Sequence, residues 1–281
     1  MKHVFLLGDP VAHSISPAMQ NAAFRALALD WQYESLETPQ AELARVVAQL
    51  RAADCAGANV TIPHKEAIVD WLDGMTDRAR QIGAVNTIVQ REGKLIGDNT
   101  DGYGFTHCLR DAKVDPRNKS VAILGAGGAA RAVAVAVAEL GVARIVILNR
   151  TIVRAESLAM FLRASFSHIA IAVNDVSALA HSDLVVNATS VGMTPREDES
   201  PMPVAFPRGA VVIDLVYRPA ETKFLRDAAR AGAQTIGGLG MLVHQGVAAF
   251  KLWTGRDAPV DVMTAAAEMA LRTTQHAIRK P

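Results

Sequence analysis

The chain has 281 residues, of which 50% are hydrophobic and 20% are charged, and its formal net charge at pH 7 is +1. Because the charges nearly cancel and form no block of one sign, neither nucleic acid nor a membrane surface is expected as a partner. At about 150 residues per domain, this length predicts two domains with well-buried cores.

Targeting segments, membrane spans and metal sites are not indicated either. The apolar run near the N-terminus is broken by Gly8, Asp9 and Pro10, so it predicts a first strand and not a signal peptide. No apolar segment approaches the roughly 20 residues that span a bilayer. Cys55 and Cys108 lie far apart and outside any CxxC spacing, which favours reduced thiols in a cytoplasmic protein. The eight histidines show no metal-ligand spacing such as HExxH, so no metal is expected.

Two serines follow the first predicted strand, residues 4–8. Ser16 precedes Pro17, a combination typical of an N-cap followed by proline at the first position of a helix, here predicted over residues 17–29. Capping does not explain Ser14, whose hydroxyl could converge with that of Ser16 on the same helix terminus. Two hydroxyls at a helix N-terminus predict a site for a carboxylate.

Lys65 occupies an unfavourable position in the predicted pattern. After a strand at 32–36 and a helix at about 39–51, a third strand ends near Thr61, and Pro63 is expected to open a helix. Lys65 would then lie in the first turn, where the helix dipole disfavours a cation. This placement favours a functional amine, although exposed structural lysines also occur in first turns.

The next segment combines a hairpin with two polar residues of interest. Apolar runs within residues 83–89 and 94–98 predict two antiparallel strands, and Asp101 could cap the helix that follows them. Capping would explain Asp101 and a turn would explain Asn86, so a functional role for either stays open at this point. Residues 115–119 are the expected linker to the second half of the chain.

The second half opens with a strand, a glycine turn and a helix. Strand 120–125 ends at Gly125, and Gly-Ala-Gly-Gly leads into an alanine-rich helix at 128–140. Gly125 would allow the turn, Gly127 would let the backbone approach a diphosphate, and Ala130 would let helix and strand pack closely. The exposed N–H groups and the helix dipole would face the anion. The alternating strands and helices that follow predict a parallel, doubly wound sheet.

The end of the next strand, residues 143–148, distinguishes the two nicotinamide dinucleotides. In an NAD site, an acidic residue about 20 positions after the glycines binds the ribose 2′-hydroxyl. Here Asn149 and Arg150 stand at that end, while Thr151 is beside them and Arg154 one turn further on. Two guanidiniums and a hydroxyl suit a dianionic 2′-phosphate, which favours NADP. A solvated helix start with Thr151 as N-cap is the alternative.

The last segments add a loop, a glycine-rich turn and two helices. The loop at 187–193 follows a strand, at the edge where ligands bind in such sheets. Glycines within 237–240 precede a helix in which Met241 and Gln245 share a face. These glycines would let the backbone approach a flat ligand such as nicotinamide, although a hinge explains them equally well. An amphipathic helix at 260–278 is expected to return to the first domain.

Eight short motifs are distributed over essentially the whole chain. They are HSxSP from His13, NVTxPHK from Asn59, GAVNT from Gly83, NTDG from Asn99, GAGGAxR from Gly125, NRTxxRA from Asn149, NATxxGM from Asn187 and GMLxxQ from Gly240. In this order and at these spacings the motifs resemble those of the shikimate dehydrogenase family, whose members reduce 3-dehydroshikimate with NADPH. Each motif alone is modest evidence, but the ordered set is highly specific.

The resemblance implies a role for each matching position. Lys65 would be the acid/base residue, paired with Asp101, and Ser14 and Ser16 would hold the substrate carboxylate. Further substrate contacts would be Thr61, Asn86, Asp101, Tyr217 and Gln245. The cofactor contacts would be Gly125, Ala126, Gly127, Gly128 and Ala129 at the diphosphate, Asn149, Arg150, Thr151 and Arg154 at the 2′-phosphate, Leu215, Gly238 and Met241 at the nicotinamide, and Asp77 at a position that the resemblance does not specify.

The resemblance also implies an α/β fold with two domains. A discontinuous α/β substrate domain would comprise residues 1–104 and 239–281, and a Rossmann NADP domain with a doubly wound parallel sheet would comprise residues 105–238. The sequence leaves open whether the protein is a monomer or a homodimer.

Two other functions compete with this one. The first is a quinate/shikimate dehydrogenase that uses NAD, and the second is a non-catalytic sensor that binds NADP or a shikimate-like ligand. The two serines and the arginine at position 150 favour shikimate and NADP over the first alternative. Retention of both Lys65 and Asp101, with no DNA-binding segment appended, argues against the sensor.

Overall fold

The computed structural model describes residues 1–202 and 205–278, including the side chains of those that precede residue 274. The chain forms two compact units, of which one comprises Met1–Gly104 together with the chain from Val243, and the other comprises Phe105–Leu242. Residues 279–281, which end the predicted substrate domain, lie outside the described residues.

Strands and helices follow each other closely in both units. The strands are β1 (Lys2–Gly8), β2 (Trp31–Glu37), β3 (Cys55–Val60), β4 (Gly74–Met75), β5 (Thr87–Arg91), β6 (Lys94–Asp98), β7 (Ser120–Leu124), β8 (Arg144–Leu148), β9 (Ala170–Val173), β10 (Leu184–Asn187), β11 (Val211–Asp214) and β12 (Gln234–Ile236). The α-helices are α1 (Ser16–Ala26), α2 (Leu43–Gln49), α3 (Asp77–Ile82), α4 (Asp101–Asp111), α5 (Gly128–Glu139), α6 (Ile152–Ser165), α7 (Val176–Leu179), α8 (Lys223–Arg230), α9 (Leu239–Thr254) and α10 (Val260–Ile278).

The first unit contains a mixed sheet with the strand order β2-β1-β3-β5-β6-β4. β1 pairs in parallel with β2 and β3, whereas β5 runs antiparallel to β3 and β6. The end of β3, the start of β5 and the end of β6 therefore meet at one edge, where Thr87 is the register partner of both Asn59 and Asp98. This edge carries the polar residues Asn59, Thr87 and Asp98, while Leu7, Ile88 and other apolar side chains form the core of the unit.

The sheet of the second unit is entirely parallel, with the order β12-β11-β10-β7-β8-β9. Counted within the unit, this is the order 3-2-1-4-5-6 of a doubly wound dinucleotide-binding sheet. The predicted α/β fold with a parallel, doubly wound sheet is confirmed. The order reverses between β7 and β10, so the glycine turn after β7 and the loop after β10 both follow the carboxyl ends of strands at the switch point, where such sheets bind ligands.

The core of the second unit is made of small and β-branched residues. The central strands β7 and β10 are almost wholly buried apolar runs, as expected for strands covered on both faces. Ala130 in the first turn of α5 is fully buried, which fits the predicted need for a small residue at this position. Phe224 and Leu225 of α8 join the apolar cluster beneath β10 and β11.

Three local predictions were wrong. Ser16 is not an N-cap, because it is the first residue of α1 and its N–H group donates to the Ser14 hydroxyl at 3.2 Å. The helix expected at 39–51 is divided into a 3₁₀ turn, Gln40–Glu42, and α2. Pro63 does not open an α-helix either, since a turn closed by the His64 N–H and the Thr61 carbonyl leads to a 3₁₀ helix, Ala67–Trp71.

Three further observations concern the described residues only. Cys55 and Cys108 are buried free thiols, in agreement with their expected reduced state. Among the described helices, none is long and apolar enough to cross a membrane. Within the same part of the chain, no three His, Cys, Asp or Glu side chains are grouped so that they could hold a metal ion.

Candidate active site

Four of the predicted site residues form one hydrogen-bonded cluster in the first unit. Lys65 Nζ forms an ion pair with Asp101 Oδ2, and Asn86 Nδ2 donates to Asp101 Oδ1 at 2.8 Å. The same amide group lies 3.3 Å from Gln245 Oε1 on α9. Asp101 is only 4% exposed, so its carboxylate charge is stabilised by Lys65 and Asn86 and not by water. The cluster therefore holds one ammonium group in a fixed position beside a buried carboxylate.

The Asn86 side chain is fixed in one orientation. Its Oδ1 atom accepts hydrogen bonds from the Thr100 backbone N–H at 2.7 Å and from the Thr87 hydroxyl at 2.9 Å. The amide N–H groups must then point the other way, towards Asp101 and Gln245. A rotated amide would turn a carbonyl oxygen towards the Asp101 carboxylate, which is electrostatically unfavourable.

The structural explanation of Asp101 does not hold. The residue begins α4, and its own N–H group is bonded to Asn99 Oδ1 at 3.0 Å, while its carboxylate is directed to Lys65 and Asn86. The helix-dipole argument for Lys65 is also wrong, since Lys65 lies in a turn. Its backbone carbonyl accepts the Val85 N–H at 2.7 Å, which ties this turn to the segment before β5.

Ser14 lies in the loop after β1, Ser16 begins α1, and Thr61 follows the end of β3. Ser14 is partly exposed, Ser16 is 5% exposed, and the two are joined by the bond from the Ser16 N–H group to the Ser14 hydroxyl. Thr61 is partly exposed, and its N–H group donates to the Leu7 carbonyl at 2.8 Å. Among the described residues, no hydrogen bond joins these three side chains to the Lys65 cluster.

A second layer of buried polar residues supports the cluster and was missed from the sequence. Asn59 Nδ2 donates to the Asn86 carbonyl and to the Thr87 hydroxyl, both at 3.1 Å, while Asn59 Oδ1 accepts from the Tyr33 hydroxyl at 2.8 Å. Asn59, Thr87 and Thr100 all belong to the motifs quoted above. That membership was the available signal, but a motif alone does not say which neighbour a side chain will contact.

The glycine turn of the second unit has the backbone that a diphosphate site needs. Gly125 has a φ of +118°, and a Cβ atom there would lie 3.0 Å from the Ala188 carbonyl oxygen, so no larger residue fits without strain. A Cβ atom on Gly127 would meet nothing within 4 Å, which leaves its backbone open to an approaching ligand. α5 begins at Gly128, so its free N–H groups and the positive end of its dipole face the same turn.

The segment after β8 presents cationic groups at the surface. Asn149 is tied down by its N–H group, which donates to Asn174 Oδ1 at 2.9 Å, and by its Nδ2 atom, which donates to the Thr151 carbonyl at 2.8 Å. Arg150 and Arg154 are exposed on either side of the start of α6. Thr151 occupies the N-cap position, but its side chain makes no capping hydrogen bond. Capping therefore does not account for Thr151.

The remaining predicted residues are spread over both units. In the second unit, Leu215 and Tyr217 are partly exposed after β11, while Gly238 and Met241 are buried around the start of α9. In the first unit, Asp77 begins α3 as a fully exposed side chain that pairs with Arg80 at 2.6 Å.

A buried carboxylate at the end of β11, Asp214, was also missed. Its Oδ1 atom accepts from Asn187 Nδ2 at 2.8 Å and from the Val216 N–H at 2.9 Å, and its Oδ2 atom accepts from the Thr222 hydroxyl at 2.6 Å. Burial raises the pKa of Asp214 to about 6, although the three hydrogen bonds act in the opposite direction. No charged partner was apparent from the sequence, so nothing in the pattern marked this residue.

Comparison with known proteins gives matches along most of the chain. Residues 6–88 match the family model of the shikimate dehydrogenase substrate binding domain, residues 109–216 that of shikimate / quinate 5-dehydrogenase, and residues 238–268 that of the shikimate 5'-dehydrogenase C-terminal domain.

Individual proteins are similar over nearly their full length. The chain is 48% identical to the shikimate dehydrogenase (NADP(+)) of Symbiobacterium thermophilum, across 95% of this chain and 93% of that protein. It is 50% identical to the enzyme of the same name from Moorella thermoacetica, across 92% and 90%. This chain also matches the crystal structure of shikimate 5-dehydrogenase from Thermus thermophilus in complex with NADP(H) and shikimate, with a TM-score of 0.87 and 41% sequence identity. The match covers 96% of this chain and 100% of the chain in that structure.

Proposed function

We infer, because this chain belongs to the shikimate dehydrogenase family, that it catalyses the reversible reduction of 3-dehydroshikimate to shikimate with NADPH. The observation that carries this inference is the ion pair of Lys65 with the buried Asp101, in a chain that matches NADP-dependent relatives over at least 90% of both sequences. The protein is thus an oxidoreductase of aromatic amino acid biosynthesis.

Reduction of a ketone to an alcohol requires a proton for the oxygen that becomes a hydroxyl group. We propose that Lys65 Nζ donates this proton in the reduction and accepts it in the oxidation. Asp101 holds the Lys65 ammonium through its Oδ2 atom, and Asn86 holds Asp101 through the other oxygen. The donor therefore has little freedom to leave its position, which is the property that proton transfer within a bound complex needs.

The substrate carries a carboxylate and ring hydroxyls. We propose that Ser14 and Ser16 bind the carboxylate, and that the polar groups of the cluster bind hydroxyls. Asn86 supplies an N–H donor on the side of its amide that faces Gln245, and Gln245 supplies both donors and an acceptor, whereas Asp101 only accepts. This proposal extends to Thr61 at the end of β3 and to Tyr217 after β11.

The chain has a backbone that fits a dinucleotide. Gly125, the open backbone at Gly127 and the start of α5 provide N–H groups for a diphosphate, and Arg150 and Arg154 provide charge for a 2′-phosphate. We propose that these residues, with Ala126, Ala129, Asn149 and Thr151, hold NADP. Leu215, Gly238 and Met241 are proposed to contact its nicotinamide, and Asp77 stays a less defined contact. When bound, the cofactor supplies the hydride, while the protein supplies position and the proton.

The two units are proposed to divide this work. The first would bind the substrate and the second would bind NADP, with the boundary near the start of α9. We further propose that the enzyme works in the cytoplasm, where the thiols of Cys55 and Cys108 stay reduced. Sedimentation of the purified chain would distinguish a monomer from the homodimer that the sequence leaves open.

Initial rates with shikimate and with quinate, each with NADP and with NAD, test the proposed function. A strong preference for shikimate with NADP is the expected result. Good turnover of quinate, or good turnover with NAD, would instead identify the broader quinate/shikimate enzyme. If NADP bound to the protein but no pair were turned over, the sensor would replace the enzyme as the function.

A further inference from the structure

We propose that Asp214 is a positioning residue for the cofactor, because its buried carboxylate fixes the loops at the carboxyl ends of β10 and β11. It would touch neither substrate nor cofactor. This inference rests on the proposed function only in that NADP is taken as the ligand of the second unit.

The carboxylate is bonded to three separate segments. Asn187 ends β10, Val216 lies in the stretch that follows β11, and Thr222 is the N-cap residue of α8. Each donates one hydrogen bond to Asp214, at 2.8, 2.9 and 2.6 Å respectively. Asp214 is 0% exposed, so these donors have no water with which to replace it.

The first of these bonds extends to the glycine turn. Asn187 Oδ1 accepts from both the N–H and the hydroxyl of Thr189, at 3.0 and 2.7 Å, so Asp214 and Thr189 together fix the Asn187 amide. Ala188 lies between Asn187 and Thr189 in the chain, and its carbonyl oxygen would be 3.0 Å from a Cβ atom on Gly125. The backbone of this loop thus packs directly on the turn proposed to hold the diphosphate.

The second bond fixes the stretch proposed to contact the nicotinamide. The Val216 N–H donates to Asp214, and its neighbours Leu215 and Tyr217 are therefore held on either side of an anchored peptide. Leu215 is also held by its own N–H, which donates to the Asn187 carbonyl at 3.0 Å. Gly238 packs on the same backbone, since a Cβ atom there would collide with the Leu215 carbonyl and lie 3.0 Å from that of Asp214.

A single carboxylate thus connects both ends of the proposed cofactor site within one unit. An apolar residue at position 214 would leave three buried donors without an acceptor, and the loops would move to find water. A neutral amide of the same shape would keep an oxygen for Asn187 and Val216, and its NH₂ group could donate to the Thr222 hydroxyl. The geometry therefore predicts that Asp214→Ala and Asp214→Asn differ in cofactor binding.

Binding of NADP by calorimetry is the primary measurement. We expect Asp214→Ala to raise the Kd for NADP by about tenfold or more, and Asp214→Asn to stay within about threefold of wild type. The KM for NADPH should follow the Kd, while the KM for shikimate should change little. The matched control is Leu179→Ala, which removes a buried core side chain of the same unit that takes part in none of these hydrogen bonds.

Hydrogen exchange of the protein without cofactor provides a second readout. Faster exchange in peptides that cover 187–191 and 214–222 is expected for Asp214→Ala and not for Leu179→Ala. The positioning role would be refuted if Asp214→Ala bound NADP with the affinity of wild type. It would also be refuted if Asp214→Ala and Leu179→Ala lost equal thermal stability and their affinities for NADP fell equally.

A milder pair of variants decides the question if Asp214→Ala does not fold. Thr222→Val removes one of the three donors, whereas Thr222→Ser keeps the hydroxyl. A weaker affinity for NADP in the valine variant only would support the inference, and equal affinities would overturn it. Because wild-type turnover of shikimate is measured separately, failure of the proposed function would leave this comparison of NADP affinities intact.

Discussion

The ionisation of Asp214 should make the second unit less stable as the pH rises. Burial raises the pKa of this carboxyl from 3.8 to about 6, so between these two values the folded protein holds a proton that the unfolded chain has released. The stabilising contribution is fully present below about pH 3.8 and is lost as the pH rises through about 6. At 1.36 kcal/mol per pKa unit, the full loss is about 3 kcal/mol.

Replacement of Asp214 by Asn removes this dependence, because the amide does not ionise. By about pH 5 roughly half of the loss has already occurred, so the remainder, about 1.3 kcal/mol, should appear between about pH 5 and pH 7. The free energy of unfolding of Asp214→Asn minus that of wild type should therefore increase by this amount over the interval. Urea unfolding followed by far-UV circular dichroism at several pH values measures the difference directly.

An exposed carboxyl provides the control. Arg117 hydrogen-bonds Asp115 and holds the pKa of that carboxyl below its usual range, so its contribution is present at neutral pH and lost on acidification. Between about pH 5 and pH 7 this carboxyl is ionised in both the folded and the unfolded chain, so the difference between Asp115→Asn and wild type should be flat there and should change, with the opposite sign, only below about pH 4. If the difference between Asp214→Asn and wild type were flat from about pH 5 to pH 7, the assignment of a raised pKa to this buried group would be wrong.

Three further predictions concern the proton donor, the cofactor and the fold. Lys65→Ala should lower kcat by about 10²- to 10⁴-fold while the Kd for NADP stays unchanged, as steady-state rates and calorimetry would measure. Arg150→Ala should raise the KM for NADP by about tenfold and leave that for NAD unchanged, because only NADP carries the 2′-phosphate. Gly57→Ala should lower the free energy of unfolding by about 3 kcal/mol or more, as urea unfolding would measure. Gly57 has a φ of +149°, and an added Cβ atom would collide with the Ile88 carbonyl and lie 2.7 Å from Trp253 Nε1.

Each of these predictions has a matched control. Lys251→Ala removes an exposed lysine that pairs with Asp257, and wild-type turnover is expected. Arg163→Ala removes an exposed arginine of α6 and should not alter the preference for NADP. Gly93 has a φ of +77° but open space around it, so Gly93→Ala isolates the backbone strain from the collision. The prediction for Lys65 would be contradicted if Lys65→Ala turned over as fast as Lys251→Ala. The prediction for Arg150 would be contradicted if Arg150→Ala kept the wild-type preference for NADP over NAD. The prediction for Gly57 would be contradicted if Gly57→Ala and Gly93→Ala lost equal free energies of unfolding.

Features that depend on near neighbours in the chain were predictable. The strand, glycine turn and helix from Ser120 to Glu139 lie within one residue of their expected bounds, because apolar periodicity and glycine act over a few residues. The alternation of strands and helices then predicted the parallel sheet of the second unit, since only a crossover joins parallel neighbours. The hairpin of β5 and β6 was predictable for the same reason, because it depends on two neighbouring apolar runs and the short turn between them.

At Pro63 and Asp101, distant contacts decide the conformation that the sequence alone did not predict. Pro63 is compatible with a first helical turn, but the segment after it is held by the buried His64, whose ring nitrogens contact Gln40 and the Thr38 carbonyl. Capping accounted equally well for Asp101 in the sequence. The structure removes that ambiguity, because its carboxylate faces other segments.

The sequence by itself therefore determined the elements, the parallel sheet, the glycine turn and the identity of the chemical groups, all of which arise from short-range patterns. Tertiary structure alone decided how those groups meet: Lys65 and Asp101 are 36 positions apart, and Asn86 and Gln245 are 159 apart. It also decided the acidity of Asp214, which follows from burial among residues of three segments. Hydrogen bonding and desolvation depend on distances in space, and no local pattern encodes those distances.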